Sequence, residues 1–280
     1  MRIHSRTGSS PYKRITLTAV LLLIGLSMVF PFFFMLSSSL KPNSQVFGFP
    51  IQLIPGSLYL DNYETLFANR DFFIWYGNTV QMVALLIAFR FLVVTQAAYA
   101  FARLSFKGKN AIFMLFISTI MIPWDTTILA RYLLYDWLGL IDTPWALIIP
   151  GMFDVLFLFL VRQFFTTVPF ELSEAAIIDG CGHWKIYWKV ILPLSKPVLL
   201  TLVIFTFIWS WNDFTGPYIF INTMSKQMLS VGLVTFQTIA GTNYALQMAG
   251  SCLGIIPAVI VFIWAQKYFI QGIATTGIKG

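Results

Sequence analysis

Residues 170–197 read FELSEAAIIDGCGHWKIYWKVILPLSKP and concentrate the polar chemistry of this sequence. The carboxylates Glu171, Glu174 and Asp179, the lysines Lys185, Lys189 and Lys196, and His183 all fall within this one stretch. These residue types suit holding a partner rather than breaking bonds. Carboxylates accept charge-assisted hydrogen bonds, and alanines let a facing surface come close. Catalysis would need a nucleophile beside a base, or a metal cluster. The chain has two histidines, His4 and His183, and two cysteines, Cys181 and Cys252, with no CxxC or Cys/His metal spacing. No catalytic residue and no metal ligand is expected. A phosphate-cradling G-x-x-x-x-G-K-S/T is also missing. Gly272 to Gly277 followed by Ile278-Lys279 misplaces the lysine.

The local pattern predicts a helix. Pro169 suits a first turn, where its missing N–H costs nothing. Glu171 and Glu174 follow near the positive end of the helix dipole. Ala175, Ala176, Ile177 and Ile178 continue it with a small apolar face, and Asp179-Gly180 ends it, because glycine tolerates the left-handed conformation. The following HWKIYWKVILPLSKP has aromatic and basic residues at helical spacing, which suits a membrane interface. Read from these residues alone, the segment is either an interfacial linker or a helix held by another protein.

A second polar set lies inside apolar runs. Arg90, Asp154 and Asp213 each carry an insertion cost of about 2.5–3.5 kcal/mol near a helix centre, so each should face a bundle, a cavity or a partner. Asp154 is open to two roles, structural hydrogen bonding or a solute path. In WSWNDF, Asn212 and Asp213 can bond hydroxyls while Trp209, Trp211 and Phe214 can stack on sugar rings. The alternative for the tryptophans is an aromatic belt at the interface. Asp154, Trp211, Asn212 and Asp213 are the candidate substrate path.

The elements that must position these groups follow from composition. Of 280 residues, 58% are hydrophobic and 10% charged, with mean hydropathy +0.78. Soluble domains carry about 25% charged residues, so the chain reads as an integral membrane protein in contact with lipid. The net charge of +7 comes from basic residues set between apolar runs, which argues against nucleic acid. Six runs can each cross a bilayer as a helix, near residues 15–37, 72–101, 111–131, 143–164, 198–221 and 245–270. The third is interrupted by Pro123 and Asp125. The first is uncharged from Ile15 to Leu40 and is read as a retained span rather than a signal peptide. Thirteen Lys/Arg fall on the side of the termini and residues 170–197, against four on the other side. Basic residues stay cytoplasmic, so both termini and that stretch are expected there. Cys181 and Cys252 then lie in different environments and stay unpaired.

Glu174-Ala175-Ala176, Asp179-Gly180, and Leu192-Pro193 with Pro197 resemble the EAA loop of permease subunits in bacterial ABC importers. Cys181 stands where that family usually has alanine. NYETLF at residues 62–67, YGNTV at 76–80, WSWNDF at 209–214 and the final GIKG are similar to the carbohydrate branch, the smaller six-span permease of the maltose type. The resemblance implies an all-α, type I importer fold in the bacterial inner membrane. Its parts are a cytoplasmic segment 1–14, a transmembrane domain 15–270 holding a coupling loop at 169–197, and a cytoplasmic tail 271–280. It implies that Glu171, Glu174, Ala175, Ala176, Asp179 and Gly180 form a coupling helix that docks on a cytoplasmic ATPase. It implies contact between Gly232, Gln237, Gly241 or Thr242 and an extracellular or periplasmic sugar-binding protein. An ordinary external loop is the alternative there.

The implied partners are a second homologous permease and an ATPase homodimer or heterodimer. ATP and magnesium would sit on that ATPase, so this chain has no cofactor and no enzymatic activity of its own. The implied solute is a di- or oligosaccharide. The alternatives are a glycerol phosphate or an acidic uronate oligosaccharide in the same architecture. A secondary transporter would show paired broken helices in inverted repeats, and no matching pair is visible.

Overall fold

The computed structural model describes residues 11–238 and 241–276, with side chains from 12–236 and 241–266. Residues 1–10 of the expected N-terminal segment, His4 included, and 277–280 of the expected tail lie outside it. In chain order the helices are α1 (Pro11–Ser39), α2 (Asn43–Val46), α3 (Asp61–Ala68), α4 (Arg70–Arg103), α5 (Lys109–Thr119), α6 (Ile128–Trp137), α7 (Trp145–Gly151) and α8 (Val155–Thr167). They continue as α9 (Phe170–Ile178), α10 (His183–Ile186), α11 (Leu192–Leu194), α12 (Lys196–Trp211), α13 (Thr215–Phe220), α14 (Leu229–Val234), α15 (Tyr244–Gly254) and α16 (Ile256–Thr276). A small antiparallel hairpin pairs β1 (Gln237–Thr238) with β2 (Gly241–Thr242). Apart from that hairpin the described architecture is helical, as expected.

The chain divides into two compact units. One comprises residues 1–69 and 236–253. Its α1 exposes Leu, Ile, Val and Phe all round, as a helix in lipid does. The α1 C-terminus is fixed by polar contacts. Asn62 Nδ2 donates to the carbonyls of Ser39 (2.9 Å) and Lys41 (2.8 Å), and Ser39 Oγ bonds Tyr63 Oη at 2.8 Å. Lys41 is buried, and its Nζ donates to the Gln52 carbonyl.

The other unit, residues 70–235 and 254–280, is organised around α4. This 34-residue helix packs chiefly on α8 and α12. Val94 and Ala98 from α4, Leu158, Val161 and Phe165 from α8, and Leu202 from α12 form the buried centre. All are apolar; Val94 and Ala98, four apart, share one face of α4, and Leu158, Val161 and Phe165 share one face of α8.

Four helices are long and apolar enough to cross a bilayer: Tyr12–Ser39, Arg70–Arg103, Trp145–Thr167 and Tyr244–Gln266. Two bent pairs raise the number to six if each makes one crossing. The expected third run is one of them, turning by 94° between Lys109–Thr119 and Trp124–Trp137. Pro123 sits at the break in an extended conformation, where it has no N–H for a helix. The other pair turns by 81° between His183–Leu194 and Lys196–Trp211.

The expected fifth run, 198–221, proves shorter as a helix. It stops at Trp211 because Asn212-Asp213 leaves the helical path and caps α13: Asp213 Oδ1 accepts the Gly216 N–H at 3.1 Å. The expected fourth run is interrupted in the same way. Asp154 is extended and caps α8, accepting from the backbone N–H groups of Leu156 (2.9 Å) and Phe157 (3.2 Å). Both acids satisfy amides that a helix start leaves without intrahelical acceptors.

Candidate docking helix and polar cleft

Helix α9 is short, closed at its C-terminal end and open on one side. Pro169 holds the extended entry, and Phe170 begins the helix. At the far end the Cys181 N–H donates to the Ala176 carbonyl and the Gly180 N–H to the Ile177 carbonyl, both at 2.9 Å. This is a Schellman closure, and it requires Gly180 at φ +75°. Ser173 and Ala176 face inward, and Ala176 joins the apolar core of its unit. Glu171, Glu174, Ala175, Asp179 and Gly180 are exposed. Five of the six residues expected to couple therefore lie on the open side, and Ala176 roots the helix. Ile178 is 85% exposed and Ile177 52%. Two exposed isoleucines flanked by carboxylates make a small apolar patch with an acidic rim, which is the anatomy of a protein contact.

Residues after α9 pin it down. Ile186, Tyr187, Ile191 and Leu192 are buried, while Trp184 and Trp188 are open. Tyr187 Oη bonds Thr95 Oγ1 of α4 at 2.7 Å, and its ring stands edge-on to Tyr99 at 5.5 Å. Tyr99 Oη in turn meets His183 Nδ1 at 3.3 Å. The segment is two-sided: its buried face packs into the core beside α4, while Trp184 and Trp188 remain open.

Arg103, at the last turn of α4, escaped sequence reasoning. Its Nη2 donates to the carbonyls of Phe165 (2.8 Å) and Val168 (2.6 Å), and its guanidinium lies 4.4 Å from the Phe170 ring centroid. A basic residue closing an apolar run is the signal the sequence offers for it.

The second feature is a cleft of about 620 Å³ in the α4 unit, within the usual range for ligand sites. Arg90, Asp125, Arg131, Asp154, Trp209 and Asp213 line it. Arg90 is buried and held through Nε and Nη1. Its Nε donates to the Gly151 carbonyl (2.7 Å) and Nη1 to the Thr206 hydroxyl (3.2 Å), with Asp154 Oδ2 at 3.7 Å. Asp154 and Asp213 thus join the cleft while also capping helices. Trp211 and Asn212 do not. Trp211 is buried, stacks on Phe207 at 5.5 Å and donates Nε1–H to the Gly254 carbonyl at 2.9 Å. Asn212 is exposed and donates to the Ile208 carbonyl at 2.7 Å.

The four residues expected on an outer contact separate. Gly232 is buried against the Trp75 indole, where any Cβ would overlap the ring. That position explains a glycine by close packing. Gly241 and Thr242 form the second strand of the hairpin, and the Thr242 carbonyl accepts from Asn43 Nδ2 at 3.2 Å. The Gln237 side chain lies outside the described residues.

Comparison with known proteins places this geometry in context. The family model described as binding-protein-dependent transport system inner membrane component matches residues 95–275, more than half of the chain. The arabinooligosaccharides transport system permease protein AraQ of Halalkalibacterium halodurans is 34% identical over 97% of this chain and 99% of its own length. The galactooligosaccharides transport system permease protein GanQ of Bacillus subtilis is 31% identical, covering 90% of this chain and 91% of its own length. Among solved structures, a bacterial ABC transporter involved in the import of the acidic polysaccharide alginate superposes with TM-score 0.84 at 23% identity, covering 93% of this chain and 99% of that one.

Proposed function

This chain belongs to the family of binding-protein-dependent transport system inner membrane components, and we propose that it forms half of the transmembrane pathway of an ABC importer for an oligosaccharide. The observation that carries the proposal is α9: a helix rooted by Ala176, closed at Gly180, and presenting Glu171, Glu174, Ile177 and Ile178 to solvent. A cytoplasmic ATPase dimer would grip that face. When nucleotide closes the dimer, the two grips approach, and a stiff helix passes the displacement to the spans. ATP and magnesium belong to the ATPase, because this sequence has no phosphate cradle of its own.

In this reading α9, both termini and the loop around Lys107 are cytoplasmic, as the Lys/Arg asymmetry demands. A second, homologous permease supplies the other half of the path, and a sugar-binding protein delivers solute from outside. The relatives named for arabino- and galacto-oligosaccharides support a saccharide cargo.

Reconstitution tests this. The chain, its partner permease, the ATPase and the binding protein in proteoliposomes should accumulate labelled arabino- or galacto-oligosaccharide only with ATP. Uptake that persists without the ATPase and follows an ion gradient would overturn the reading in favour of a secondary transporter.

A further inference from the structure

We infer that Arg103 is a positioning residue, a strut that sets the angle of the docking helix α9 against α4 and so lets the two move as one body. The inference rests on the coupling role proposed for α9, and it adds a part that neither the loop motif nor the exposed face contains.

The geometry is specific. Arg103 ends α4, and its guanidinium reaches across to the end of α8, where the carbonyls of Phe165 and Val168 lack intrahelical partners. A cation there is favoured by the α8 dipole. The same planar group stacks 4.4 Å from the ring of Phe170, the first residue of α9. Between the Val168 carbonyl and Phe170 stands only Pro169. One side chain therefore fixes three things at once: the end of α4, the end of α8 and the start of α9. A lysine cannot reproduce this, since an ammonium offers no plane to lie against a ring.

Among the described residues Arg103 makes no ion pair, and its Nε and Nη1 are buried without an acceptor. Both of its hydrogen bonds run from Nη2 to one joint, the passage from α8 into α9. The opposite end of α9 is closed at Gly180 by its own backbone bonds and held to α4 through Tyr187, so Arg103 sets the entry of the helix while those contacts set its exit.

The test uses the full chain assembled with its partner permease in lipid nanodiscs, with Cys181→Ser and Cys252→Ser, and spin labels at Gln96→Cys on α4 and Ile178→Cys on α9 of this chain. Parent protein should give one narrow inter-label distance. Arg103→Ala and Phe170→Leu should broaden it, whereas Phe170→Trp, which keeps an aromatic face, should retain it. Retention of the purified ATPase by the same nanodiscs should fall about fivefold for Arg103→Ala, as expected for a loss of about 1 kcal/mol, and Arg103→Lys should not rescue it. An unchanged distance distribution in both Arg103→Ala and Phe170→Leu overturns the strut. Failure of parent nanodiscs to hold the ATPase overturns the coupling reading instead, and leaves the distance result to stand by itself. Because Phe170→Leu and Phe170→Trp leave Arg103 in place, a folding failure of Arg103→Ala cannot hide the answer.

Discussion

Arg90 Nη1 of α4 stands 3.7 Å from Asp154 Oδ2 at the start of α8, with side-chain exposures of 9% and 24%. The pair joins two helices at the wall of the polar cleft, and its acid also caps α8 through its other oxygen. Asp154→Ala removes cap and counter-charge together and should cost about 2–4 kcal/mol. Asp154→Asn keeps a good cap and should cost about half of that. Thermal unfolding in detergent should rank parent above Asn above Ala. Equal losses would show that the cap is irrelevant.

Gly180 sits at φ +75° where α9 closes. Valine there incurs strain of about 1–2 kcal/mol and should break the Schellman closure. Gly180→Val is expected to reach the membrane at parental level yet lose ATP-driven uptake, while Gly180→Asn, which tolerates this conformation, should keep most of it. Normal uptake by the valine variant would reduce the segment to a linker.

Trp75 and Gly232 form a close-packed couple, with the indole Nε1 donating to the Met224 carbonyl at 2.8 Å. Gly232→Ala should destabilise by about 1–3 kcal/mol through overpacking. Adding Trp75→Leu should recover part of that, so the two changes should be non-additive. Melting temperatures of the two single variants and the double variant give the coupling directly.

Asp142 accepts from Lys226 Nζ at 2.8 Å, from the Thr223 hydroxyl at 2.7 Å, and from the backbone N–H groups of Thr223 and Asn222. Lys226 first, then Thr223, holds its carboxyl well below the usual carboxylate range. A depressed folded value stabilises above the unfolded value of about 3.9 and is lost as pH falls below it. Asp142→Asn should therefore lower the melting temperature at about pH 7, and the gap to parent should shrink steadily below about pH 4. A gap that grows on acidification would refute the assignment.

Single cysteines at Ser57 and Glu174, in a background lacking Cys181 and Cys252, should label from opposite faces of sealed cells. Both positions are exposed. Ser173, beside Glu174, is buried and would report poorly. Labelling from a common side would reverse the proposed placement of α9.

The sequence by itself determined the class, the approximate places of six apolar runs, and the short polar helix that ends at Asp179-Gly180. The bilayer makes the first two legible, since about 20 apolar residues in a row have few other uses. The helix was legible because its start, face and stop depend on neighbours in sequence. What the sequence left open depended on groups brought together from distant positions. Whether Asp154 serves a path or a fold could not be read locally. Only the packing of α4 on α8 sets Arg90 beside it, 64 positions earlier. Trp211 and Gly232 looked like contact residues because an aromatic and a glycine near a loop have many uses. Tertiary packing directs Trp211 inward to Gly254 and places Trp75 over Gly232. Arg103 carried no motif at all. Its role comes from an α8 C-terminus and a Phe170 ring that the fold delivers to its reach, because hydrogen bonds and ring contacts depend on distances in space that spacing along the chain does not encode.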